Sequence, residues 1–160
     1  MALEVKDGGE RGIVIRGIDP VMAHCLRRVP EILEQRDSTS VRERLYPDAR
    51  PGEPARGEEW RRLVGPELRH LFEAAAETYR ADLAAFDERH GEIAFPPEHR
   101  AAWMSAINQA RLVLAELHQL TEADLARTEL GPVSMREVAL VEVQALGYLL
   151  HLLVEHVGEG

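Results

Sequence analysis

Cysteine and lysine are each present once in this 160-residue chain, as Cys25 and Lys6, and aromatics are few: 3 Phe, 3 Tyr and 2 Trp. A single cysteine excludes a disulfide framework. A basic excess is also missing. There are 28 acidic and 19 basic residues, a formal charge of −9, the opposite of the electrostatic footprint of a general nucleic-acid binder. Met1 to Lys6 has neither the basic nor the apolar region of a secretory signal. The most apolar stretch, Val138 to Val157, is interrupted by Glu142, Gln144, His151, Glu155 and His156. That reads as too polar for a spanning helix, which needs about 20 apolar residues. These absences predict a soluble cytoplasmic protein. Catalytic signatures are lacking as well: no Gly-x-Ser-x-Gly, no P-loop and no Gly-x-Gly-x-x-Gly occurs, so neither enzyme activity nor a cofactor is expected.

What is present is enough for a core. Hydrophobic residues make up 45 % of the chain, with Ala and Leu at 20 each, which rules out a disordered or collagenous chain. The length fits a single domain over 1–160. Charge is unevenly distributed. Residues 1–62 hold 12 bases and 12 acids, whereas residues 112–160 hold 2 bases and 8 acids. The basic side chains therefore crowd the first part, and acidity grows toward the end.

The pattern predicts a mainly α fold, a helical bundle with a small N-terminal β-hairpin. The hairpin spans 1–16, with Asp7-Gly8-Gly9 as its turn. An isolated hairpin is marginal in water, so it must pack on helices or on another chain. Asp19-Pro20 opens a helix over 20–35, kinked or restarted at Pro30. Residues 48–57 contain Pro51, Gly52, Pro54 and Gly57 and read as a mobile surface loop. Gly65-Pro66 is expected to break a short helix and open a long one over 66–90. Further helices are expected over 97–120 and 134–157, with a short extended piece at Ile93–Phe95 ahead of the first of them. Thr121 and Ser134 are expected to begin capping boxes, with Glu137 making the second the better one. The last helix is apolar on two faces. Val138, Val141, Ala145, Tyr148, Leu149 and Leu152 lie on one, and Leu140, Val143, Leu146, Leu150 and Leu153 on the other. It is therefore either the central helix of the bundle or half of a subunit interface.

Four constellations bear on chemistry. His151 and Glu155, at i and i+4, share a helical face and could chelate a cation. No His-Glu-x-x-His or Glu-x-x-His accompanies them, so no metal is expected, and a helix end where imidazoles meet the C-terminal dipole is the simpler reading. Cys25 falls on the apolar face with Met22 and Val29, about 100° from His24, so it reads as a small buried hydrophobe rather than a nucleophile. Arg44, Tyr46, Trp60 and Arg61 belong to an arginine–aromatic region, the composition of protein-interface hot spots. Interleaved acids cancel its field, so a protein partner fits better than nucleic acid. Asn108 and Arg111 can face inward and meet Glu142, as a buried polar group or a small anion site.

Together, Val41-Arg-Glu-Arg-Leu-Tyr-Pro-Asp-Ala49, Glu59-Trp-Arg-Arg-Leu-Val64, Trp103 to Ala115 and Leu120-Thr-Glu-Ala-Asp124 resemble an uncharacterised family of small acidic bacterial proteins. The resemblance spans most of the chain. Members are frequent in actinobacteria and often encoded beside ClpS, the Clp protease adaptor. The resemblance implies a role near regulated proteolysis or transcription and carries no catalytic residues. Some members are described as oxidation sensors acting through a cysteine pair. The solitary Cys25 departs from that pattern and excludes an internal disulfide switch here. The expected function is a non-enzymatic regulatory or protein-interaction module, homodimeric and away from membranes. The alternative is a helical-bundle protein that binds a metal or small ligand.

Overall fold

The computed structural model describes residues 2–37, 54–129, 131–132 and 134–158, with 36–37, 54–61, 63–64 and 157–158 described by their backbone alone. The architecture is mainly α, as the sequence predicts, with a small antiparallel sheet at one end.

Strands β1 (Glu4–Asp7) and β2 (Ile13–Arg16) form the hairpin, in register from Glu4 opposite Arg16 to Asp7 opposite Ile13. The turn is longer than Asp7-Gly8-Gly9. Asp7 Oδ1 accepts from the Gly9 amide at 2.8 Å, and the chain makes a tight 3-10 turn over Gly9–Arg11 before Gly12. Gly12 has φ +84°, and a Cβ there would sit 2.3 Å from the Phe95 carbonyl oxygen, so only glycine fits. That close approach exists because Ile93–Phe95, the expected extended piece, is a third strand, β3, paired to the other edge of β2. The hairpin thus gains both a third strand and a bundle to lie on, and Ile13, Val14 and Ile15 are all buried.

Helix α1 (Pro20–Leu33) starts as expected. Asp19 accepts from the Met22 amide at 2.7 Å, and Pro20 occupies the first helical position, where its missing N–H costs nothing. The helix runs on through Pro30. The proline has no N–H to offer the carbonyl of Leu26, which is left without its helical donor in the core. Tyr79 fills the gap: its hydroxyl donates to Leu26 O at 2.6 Å, and both residues are essentially inaccessible.

Tyr79 lies on α2 (Pro54–Leu83), and two expectations are corrected there. The break at Gly65-Pro66 does not occur, and the helix is continuous through Pro66. The carbonyl that Pro66 leaves free belongs to Arg62, which is exposed, so water can serve it without a protein donor. The end comes at Leu83 rather than near 90. Asp87 accepts from the His90 amide at 3.2 Å, and a bridge between Asp87 and Glu92 turns the chain into β3. Residues 54–57, assigned to the loop from the sequence, form the first turn of α2. The rest of that loop is outside the described residues.

Helix α3 (Arg100–Leu117) follows a 3-10 turn at Pro97–His99, and α4 is a single turn (Glu122–Leu125). Helix α5 (Met135–Gly158) packs most extensively on α3, and also on α1 and β1. Trp103 of α3 sits at the centre. Phe95 stacks on it at 4.5 Å between ring centroids, and Tyr79 lies tilted against it at 4.4 Å. Such pairs add to the stabilisation from area alone.

The Tyr79–Leu26 bond gives a test. Tyr79→Phe should cost about 1–3 kcal/mol in denaturant melts, because a buried acceptor loses its partner. In a Pro30→Ala background the new amide at position 30 can serve the same carbonyl, so the penalty should shrink. An unchanged penalty there would show that the hydroxyl does not act through that carbonyl.

Candidate functional site

Helix α5 carries the surface that stands out. Its start is fixed by Ser134, whose hydroxyl accepts from the Glu137 amide at 3.1 Å. The expected reciprocal half of that box does not form. Glu137 turns instead to Arg127 and to the Gly131 amide at 3.2 Å, fastening the preceding loop. The full capping box is the one at Thr121, where Asp124 accepts from the Thr121 amide at 2.8 Å and its own amide donates to the Thr121 hydroxyl at 3.2 Å. Arg136 of α5 grips Asp124 and holds that carboxyl well below the usual range, so α4 is tied to the first turn of α5.

The helix is not buried all round. Ala139, Leu140, Glu142, Val143, Leu146, Leu149 and Leu153 face the core. Val138 and Tyr148 are 44 % and 52 % exposed, and Val141 and Ala145 between them and Leu152 beyond are half-buried. These five recur at alternating steps of three and four, forming one apolar seam beside the core-facing side, with Ala145 at its middle also touching the core. Leu149, grouped with that face from the sequence, is buried, and Leu150 of the other face is half-buried. By length and composition alone α5 is apolar enough to cross a membrane, contrary to the reading of Val138 to Val157 as too polar. Part of that apolarity is accounted for by its core side.

Ion pairs border the seam. On the α1 side, Glu142 is buried, and both its oxygens accept from Arg28, Oε2 from Nε at 3.2 Å and Oε1 from Nη2 at 3.3 Å. On the α4 side stand Arg127–Glu137 and Gln144, whose Nε2 donates to Arg127 O at 3.1 Å and to Leu125 O at 3.4 Å. The half-exposed Leu125 side chain continues the apolar surface there.

The expected Asn108–Arg111–Glu142 group does not assemble. Glu142 pairs with Arg28 because it points toward α1. Asn108 is exposed, and Arg111 is half-buried over Gly147 with its Nε donating to Val143 O at 3.2 Å. No carboxylate lies within ion-pair distance of Arg111 among the described residues, and burial lowers its pKa. His151 and Glu155 do meet, at 3.0 Å, but both are exposed, and among the described residues no group of three metal-binding side chains forms. Arg44 and Tyr46 lie outside the described residues. Trp60 and Arg61 belong to the early turns of α2, and their side chains are outside the described residues too.

Cys25 is buried beside Glu142, and burial, then Glu142, pushes its thiol up to about 11. One polar cluster escaped the sequence reading. Asp82 Oδ2 accepts from His99 Nδ1 at 2.8 Å and from Trp103 Nε1 at 2.9 Å, fixing α2 to the start of α3. Arg28 was missed as well. Its place on α1 becomes informative only once α1 and α5 are known to be neighbours.

Two measurements check these electrostatics. Arg28→Met leaves Glu142 buried without its cation and should cost about 3 kcal/mol in urea melts, more than Glu142→Gln. A smaller loss from Arg28→Met than from Glu142→Gln would contradict the pairing. For Cys25 the sign is that of a raised acid. Folding keeps the thiol protonated, so its contribution is intact below pH 9 and declines as pH rises toward 11. Alkylation of the native chain should therefore be slow at pH 8 and fast once the chain is denatured. Equal rates would refute the burial.

Comparison with curated proteins and with solved structures finds no match. A family model described as a domain of unknown function, DUF2017, matches residues 9–157, and the chain belongs to that family.

Proposed function

We propose that this chain is a non-enzymatic, cytoplasmic regulatory module that acts by binding protein, with the outer face of α5 as its docking surface. The observation that carries the reading is the seam Val138–Val141–Ala145–Tyr148–Leu152. Exposed apolar side chains on soluble proteins are normally scattered singly, whereas contiguous ones rimmed by polar groups mark interaction sites. The rim here is the Arg28–Glu142 and Arg127–Glu137 pairs. A role near regulated proteolysis or transcription rests on the family resemblance alone. Direct DNA binding is disfavoured by the charge of −9.

The test is site-specific photocrosslinking. A benzophenone side chain at position 148 should give discrete protein adducts from native lysate, and the same group at position 154, on another side of α5, should give none. Equal labelling from both positions, or none from either, would count against this surface.

A second reading, a small-anion site, is favoured by Arg111. Its guanidinium is half-buried over Gly147 without a carboxylate among the described residues. Titration with inorganic phosphate and with a dicarboxylate such as succinate should raise the melting temperature of the wild type and leave Arg111→Leu unmoved. No shift in the wild type would remove this reading. The metal version, using His151 and Glu155, predicts stoichiometric metal after gentle purification.

A further inference from the structure

We infer that the occupant of the α5 seam is a second copy of the same helix, running antiparallel and crossing at Ala145. This rests on the docking-surface reading above and names the partner. Three observations lead to it.

The first is symmetry. Ala145 is the smallest side chain of the seam and its midpoint. Val138 and Leu152 lie seven residues to either side, and Val141 and Tyr148 lie four and three. An antiparallel copy therefore sets Val138 against Leu152 of the partner subunit and Val141 against Tyr148 of the partner subunit. The small residues meet where the helices come closest. A two-fold interface requires such self-matching, and an unrelated partner has no need of it. The three–four spacing is that of paired helices.

The second observation concerns charge. Glu137 and His151 lie seven residues to either side of Gln144 on one flank of the seam. The antiparallel arrangement brings Glu137 toward His151 of the partner subunit and Gln144 toward its own counterpart. Glu137 and Glu142 are already neutralised by Arg127 and Arg28. Two copies of a chain of charge −9 can thus approach along this face with little local repulsion. A lipid surface fits less well. Interfacial helices present flanks with a basic excess, whereas each arginine on these flanks is matched by an acid, Arg127 by Glu137 and Arg28 by Glu142.

The third is size. The seam spans 14 residues, roughly 21 Å of helix. Its five side chains are few against the roughly 20–30 residues a side of a standard stable interface. The dimer is accordingly expected to be weak, with a Kd in the micromolar range.

The experiment uses the full chain in sedimentation equilibrium from about 1 to 500 µM, with circular dichroism to confirm folding. The wild type should be a monomer–dimer mixture. Tyr148→Glu and Val141→Glu place a carboxylate in the seam and should weaken the dimer at least about tenfold. Val154→Glu, exposed on another side of the helix, should leave it intact. Mild oxidation of Ala145→Cys should link two chains, since Cys25 is buried. Val138→Cys should link to Leu152→Cys in a mixture, and neither should link to itself. A monomer at 500 µM, a dimer indifferent to Tyr148→Glu, or Val138→Cys linking to itself overturns the inference. Failure of the broader reading looks different. If the chain is monomeric but the position-148 adducts to another protein persist, the docking surface stands and the second copy is wrong. If Tyr148 instead mediates flotation with phosphatidylcholine vesicles, both are wrong.

Discussion

The bundle depends on a carbonyl that its own helix cannot satisfy. Pro30 deprives Leu26 of an amide partner in the middle of the core, where water cannot reach. Tyr79 supplies the missing donor from α2, and burial together with Cys25 raises its pKa well above the ordinary tyrosine value, so it stays a protonated donor. The same ring leans on Trp103, which stacks on Phe95. One phenol therefore joins α1, α2 and α3, and Trp103 carries the contact on to the last strand. The proline defect decides where the hydroxyl must go, and this helps set the position of α2 against α1.

Polar contacts at two other junctions follow the same logic of directed pairing in a low-dielectric interior. Asp82 receives both the indole N–H of Trp103 and the His99 ring, so the helix that presents the central aromatic is anchored at its first turn. Glu142 sits among apolar neighbours and is tolerable there because Arg28 offers a two-pronged donor from a position still partly in water. Each pair constrains which helices can be neighbours and in what register.

Helix spacing made the elements legible in the sequence, and the α1 cap and the identity of the buried faces on α1 and α3 were readable from it. Gly65-Pro66 misled because a proline's cost depends on the surroundings of the carbonyl it frees. At Arg62 that carbonyl is on an exposed turn, and at Leu26 it is in the core. The sequence presents both prolines alike. Glu142 misled for a related reason. Its side of α5 was readable, but which helix lies on that side is a tertiary fact. Arg28, far away in the chain, was therefore invisible as its partner, while Arg111 was a plausible substitute. The hairpin was readable, but its third strand was a three-residue piece too short to have a periodicity.

The two faces of α5 differ in a way the fold does not explain. Its core side needs to match α1, α3 and β1, and the buried positions scatter over a broad arc to do so. The outer seam keeps a strict 3.5-residue repeat from Val138 to Leu152. On a straight helix such a repeat drifts by about 20° per heptad, so over two heptads the seam slants across the surface by roughly 40°. A flat surface would lose contact along that slant. A second helix crossing at an angle follows it, which is why a 3.5 repeat is the mark of helices that wrap each other. Val141 and Leu152 on that slant are only half-covered by the described residues and Val138 and Tyr148 less so, and the remaining exposed apolar surface is offset when another helix lies along it.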